Sequence, residues 1–97
     1  MSRVLERTAR RLFSDLMLCF RETRPGMEFG NHLFLGVIYL GLLAAKAGQV
    51  QDLQERRRLI NEFYQGKKTI EKGIRLLWKD AETKVKDTQG NLHGTMP

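Results

Sequence analysis

The sequence predicts an all-α fold: an antiparallel four-helix bundle, or alternatively three helices with a long third helix kinked at Gly66. Three observations carry that prediction. Leu33 to Ala45 is a run of thirteen residues without a charge. Residues 3–22 place apolar side chains at helical spacing, and from Val50 to Lys86 an apolar stripe keeps one helical phase. A helix that is apolar on every side must be covered on every side. The expected cover is protein, because thirteen residues rise only about 20 Å as a helix, against the roughly 30 Å a membrane span must cross.

The first helix puts Leu5, Ala9, Leu12, Phe13, Leu16, Cys19 and Phe20 within one face, with Arg3, Arg7, Arg10, Ser14 and Arg21 near the opposite one. Ser2 is placed to cap its first turn. Arg24-Pro25-Gly26 ends it, since proline disfavours the α conformation in the residue before it and glycine admits a turn. The second helix starts between Met27 and Asn31 and runs to about Ala47, with Gly48 as its stop. Gly41, Ala44, Ala45 and Gly48 leave little bulk on one side of it, which predicts close packing within the monomer.

Beyond Val50, Ile60, Phe63, Ile70, Ile74, Leu77 and Ala81 follow three-four spacing, with Lys67 as the polar intruder. The favoured reading breaks or kinks this stretch at Gly66, giving four segments joined by short turns. Residues 1–86 then form one domain, and 87–97, with two glycines and little apolar content, are expected to be a disordered tail.

The 97 residues include 17 lysines and arginines against 11 acids, a formal charge of +6, which favours an anionic partner. Residues 1–25 carry six basic and three acidic groups, and residues 51–86 carry ten and six. Acid-first pairs four apart match some of that charge: Glu6 with Arg10, Asp52 with Arg56, Glu71 with Arg75, Asp80 with Lys84, and Glu82 with Lys86. What stays uncompensated is Arg3, Arg7, Arg11, Arg21 and Arg24 on the first helix and its turn, and Arg57, Arg58, Lys67, Lys68 and Lys72 around the third. These ten are the candidate nucleic-acid-binding residues, because neutralising phosphates needs charge density and not an exact motif. Tyr64 and Trp78 flank the seam, where core packing is the expected role and base stacking the alternative.

No catalytic, cofactor or metal set emerges. Cys19 falls on the apolar face of the first helix, the place of a buried and inert thiol. A single cysteine also excludes an intrachain disulfide and fits a reducing compartment. His32 and His93 stand apart, and the glycines form neither a dinucleotide fingerprint nor a phosphate loop. Arg10, Arg11, Ser14 and Asp15 interrupt any secretory apolar region, so the expected setting is cytoplasmic, with no membrane partner.

Leu40-Gly41-Leu42-Leu43-Ala44-Ala45-Lys46-Ala47, the short turn, Arg57-Arg58-Leu59-Ile60 and Ile74-Arg75-Leu76-Leu77-Trp78-Lys79-Asp80 together form a pattern over residues 24–82. It resembles the four-helix-bundle family of the accessory variability determinants of diversity-generating retroelements and the proteins encoded in 23S rRNA intervening sequences. Arg24-Pro25 stands where that family has a proline-containing turn, while Gly26 and Met27 depart from it. The resemblance implies a non-enzymatic, ring-like homo-oligomer whose basic surface binds nucleic acid and docks on a reverse transcriptase. The resulting expectation is a self-associating basic bundle, dimer or ring, that binds RNA or DNA largely without sequence specificity. A protein-protein adaptor with no nucleic-acid role is the alternative.

Overall fold

The computed structural model describes the backbone of residues 2–95 and the side chains of residues 3–84. Among these, the chain is all-helical: α1 (Ser2–Thr23), α2 (Met27–Gln49) and α3 (Leu53–Thr95), with no strand. Ser2, expected as a cap, has its side chain outside the described residues.

The first turn falls where Pro25 predicts it. Arg24 sits in the left-handed region at φ 47, with its amide donating to the Phe20 carbonyl at 2.9 Å. For a residue with a Cβ that conformation costs about 1–2 kcal/mol, so the chain reversal is bought with backbone strain at a position where glycine would be free of it. Gly26, extended at φ −57 and ψ 148, caps α2, which starts at Met27, within the expected range, so that Gly30 lies inside the helix. A Cβ at Gly30 would sit 3.5 Å from Pro25 Cγ and 3.7 Å from Phe20 Cζ, so the turn folds back onto this glycine. The α2–α3 turn is held by Arg56, whose Nε and Nη2 donate to the Val50 carbonyl at 3.2 and 2.6 Å. Arg56 is thus drawn to the backbone and not into the expected pair with Asp52. Gly48 does not stop α2, which continues to Gln49, where the Val50 amide still bonds the Lys46 carbonyl.

The expected break at Gly66 does not occur: α3 runs through it without interruption, and three helices replace four. The glycine has another reason. A Cβ there would lie 2.8 Å from Leu40 Cδ2, and one at Gly73, seven residues on, would lie 2.6 Å from Leu33 Cδ2. Between them Gly36 of α2 receives Ile70, whose Cδ1 would be 3.1 Å from a Cβ. Leucines of α2 therefore seat in glycines of α3, in antiparallel order. An interior glycine costs a helix about 1 kcal/mol, which a close helix-helix seam offsets. The helix also passes Asp87, where a disordered tail was expected to begin; its backbone continues to Thr95, while the side chains of 85–97 lie outside the described residues.

The core consists of Leu5, Ala9, Leu12, Leu16 and Cys19 of α1, Leu33, Val37, Leu40, Leu43, Ala44 and Ala47 of α2, and Leu59, Phe63, Ile70, Ile74 and Leu77 of α3. Each fully buried leucine or phenylalanine contributes about 1.5–3 kcal/mol. Ile60 is only partly buried and Leu59 takes the inner position. Phe13 stays 39% exposed, its ring 6.0 Å from that of Phe34 at 53°.

One expectation is overturned outright. The apolar α2 is not enclosed: Leu35 is 61% exposed, Leu42 64%, Tyr39 49% and Ile38 43%. The physical reason is the missing fourth helix. With only α1 and α3 as neighbours, a helix is covered over the two flanks they touch, and the third stays bare. By length and composition α2 meets the requirements for crossing a membrane, but a third of its most apolar window is packed against the other helices.

Candidate nucleic-acid interface

α1 and α3 run parallel, touching where Cys19 Sγ lies 3.9 Å from the Ile74 carbonyl, and a groove runs along their exposed edge. About 630 Å³ of it is lined by Arg7, Thr8, Arg11, Leu12 and Asp15 from α1 and by Tyr64, Lys67 and Glu71 from α3. Leu12 supplies the floor, since it is buried in the core, and Arg7 and Arg11 stand one turn apart above it, both exposed. Farther along, Asp15, Leu18, Glu71, Arg75 and Trp78 line a continuation of about 300 Å³. Tyr64 and Trp78 are 40% and 38% exposed. They are therefore neither core residues nor free surface: both line the groove, and the Tyr64 ring packs against Phe63 with centroids 5.5 Å apart at 82°.

The ten candidate basic residues divide by position. Arg7, Arg11 and Lys67 meet in the groove. At 100° per residue Arg57 and Lys68 fall on the Tyr64 side of α3, and both are exposed. Arg3 and Arg21 are exposed on α1 outside the groove lining, and Arg24 is exposed at the turn. Arg58 and Lys72 face the other way: Arg58 borders a hollow with Tyr39, Leu42 and Lys46, and Lys72 borders the α2–α3 groove.

Two of the ten are not uncompensated. Arg58 pairs with Glu55 and, at 3.7 Å, with Glu62, while Lys67 Nζ lies 3.2 Å from Glu71. The sequence carried this signal in the spacings Glu55–Arg58, Arg58–Glu62 and Lys67–Glu71, which are three or four apart but, except for the first, have the base ahead of the acid. Such a pair is weaker against the helix dipole, not absent. Of the acid-first pairs, Asp80 and Lys84 meet at 3.2 Å. The Arg58 contact holds the Glu55 carboxyl below its ordinary range. Tyr39 donates to Glu62, and that bond raises the phenol.

With Asp15 and Glu71 set against Arg7, Arg11 and Lys67, the groove itself is only mildly positive. Its chemistry is a narrow channel with two guanidinium groups and an aromatic ring on its walls, extended by exposed cations on both helices. Cys19 takes no part: it is fully buried, donating weakly to the Ile74 carbonyl at 3.9 Å, and burial pushes its thiol up despite the Thr23 hydroxyl. His32 is exposed beside the α2–α3 groove, and His93 lies outside the described side chains. Compared with known proteins, the chain matches no family model, no curated protein and no solved structure.

Proposed function

We propose that this chain is a non-enzymatic, self-associating basic bundle that binds RNA or DNA largely without reading sequence. The observation that supports it is the convergence of Arg7 and Arg11 from α1 with Lys67 and Tyr64 from α3 on one groove. A single strand suits that arrangement, with its phosphates against the guanidinium groups and a base stacked on Tyr64 or, farther along, on Trp78. Arg3, Arg21, Arg24, Arg57 and Lys68 add sequence-independent charge around it, and the ion-paired Arg58 and the more remote Lys72 add less. The acids within the groove keep affinity modest, and the salt dependence follows the number of phosphates that the cations neutralise. In the cytoplasm such a protein serves as an accessory factor to a nucleic-acid enzyme such as a reverse transcriptase, the role that the family resemblance implies.

Titration of a labelled single strand at several salt concentrations tests the reading. The slope of log K against log salt should be near −0.7 per phosphate neutralised, against −0.9 for duplex. Absence of binding at low salt eliminates it.

The adaptor reading is favoured by a different observation, the bare flank of α2. It predicts one stoichiometric protein partner that survives nuclease treatment.

A further inference from the structure

The bare flank of α2 is a ridge two turns long. Leu35, Ile38, Tyr39 and Leu42 lie within about 100° of one another around the helix and leave on the order of 400 Å² of apolar surface in water, as much as the largest patch on a typical soluble monomer. Hollows flank it on both sides. One of about 580 Å³ lies between α1 and α2, walled by Phe13 and Ile38 over Gly41, where a Cβ would meet nothing within 4 Å. The other, about 420 Å³, lies between α2 and α3 and includes Phe29 and Leu76.

The ends of the ridge carry opposite charges. Glu28, in the first turn of α2, and Lys46, in the last, fall in the same angular sector as Leu35. Both are exposed, and neither makes any of the ion pairs seen among the described residues, although Lys46 lies close enough to Glu55 to influence its carboxyl. A surface that is acidic at one end, apolar in the middle and basic at the other is complementary to itself when turned end for end.

We infer that the ridge is a two-fold interface at which α2 packs antiparallel against α2 of a second copy of this chain. An axis between Ile38 and Tyr39 sets Leu35 opposite the partner's Leu42 and brings Glu28 within side-chain reach of the partner's Lys46. An isologous contact needs just this self-complementarity. With Phe13, Phe29 and Leu76 at its rim, the surface approaches the roughly 800 Å² per partner of a specific interface. A lipid surface is a poorer occupant, because the apolar ridge spans only about 11 Å along the helix and carries the Tyr39–Glu62 hydrogen bond at its edge. The inference rests on the self-association in the reading above and names its surface; it is independent of the nucleic-acid groove, which lies between the other pair of helices.

Sedimentation equilibrium of the full chain tests it, with circular dichroism as the control for folding. The expected mass is twice 11.3 kDa. Leu35→Glu with Leu42→Glu should keep the helical spectrum and raise the dimer Kd by at least about tenfold. Glu28→Lys and Lys46→Glu should each weaken the dimer and together restore it. A monomer at every concentration, a dimer indifferent to the two leucine substitutions, or a charge swap that restores nothing overturns the inference. So does a lipid-free monomer that floats with neutral phosphatidylcholine vesicles, which would make lipid the cover. Nucleic-acid titration of the same samples separates the two readings. A monomer that still binds nucleic acid sinks the interface alone, and a dimer that does not bind it sinks the groove alone.

Discussion

The α2–α3 seam and the α1–α3 groove are built on the same helix and come out opposite. Along one side of α3, Gly66 and Gly73 let Leu40 and Leu33 approach until no Cβ would fit. Along the other, Tyr64, Lys67 and Glu71 face Arg7, Arg11 and Asp15 across open space. Long charged side chains cannot be buried without partners, so they stay wet at the rim and leave the groove above the shared core open. Side-chain size and charge on the two sides of a single helix thus decide which seam closes and which remains available to a ligand.

The largest test removes what both sides share. Phe63 is fully buried at the centre of the core, and Phe63→Ala should cost about 3–5 kcal/mol in urea unfolding. A domain of this size has about 5–10 kcal/mol to lose. A smaller change separates close seam from open surface. Gly73→Val should destabilise by about 1–3 kcal/mol by overpacking against Leu33, whereas Gly41→Ala, with nothing within 4 Å of the new Cβ, should stabilise by up to about 1 kcal/mol. Equal effects at the two glycines would break the comparison.

On the groove side, Arg7→Glu with Arg11→Glu should lower nucleic-acid affinity about tenfold at low salt and reduce the salt slope by roughly 1.4. Arg58→Glu, at an arginine already paired with Glu55 and Glu62, should do much less.

The smallest effect is on pH dependence. Glu55 has a folded pKa below its unfolded value, so its contribution is full above the unfolded value and lost as pH falls through the folded one. Tyr39 is raised, so its contribution is full below its unfolded value and lost as pH rises through the folded one. Tyr39 is exposed and Glu55 half-buried at the surface, so both contributions are small. Glu55→Gln should slightly flatten the acid limb of the stability curve and Tyr39→Phe the alkaline limb, each measured by denaturant midpoints across pH.

Periodicity made much of this legible. The inner face of α1 could be read from Leu5 to Cys19, and Pro25 located the first turn because its steric effect is local. Gly66 could not be read correctly, because a glycine that breaks a helix and one that receives a neighbouring leucine look alike until the partner helix is known. The same holds for α2. Its composition says that apolar surface must be covered, but how many neighbours the chain supplies depends on whether α3 divides, which is a tertiary outcome. The groove was half legible: Arg7, Arg11, Tyr64 and Lys67 stood out individually, yet only the parallel arrangement of α1 and α3 puts them on facing walls.

The two leucine-glycine contacts between α2 and α3 also have a consequence for alignment. Moving α3 by seven residues in one direction would leave Leu40 facing Gly73 but set Leu33 against Asp80; in the other, Leu33 would find Gly66 while Leu40 met Leu59. Either slip keeps one tooth of the key in its notch and jams the other. Two notches on an otherwise repetitive rod thus select a single sliding position, which a uniform leucine stripe would leave degenerate.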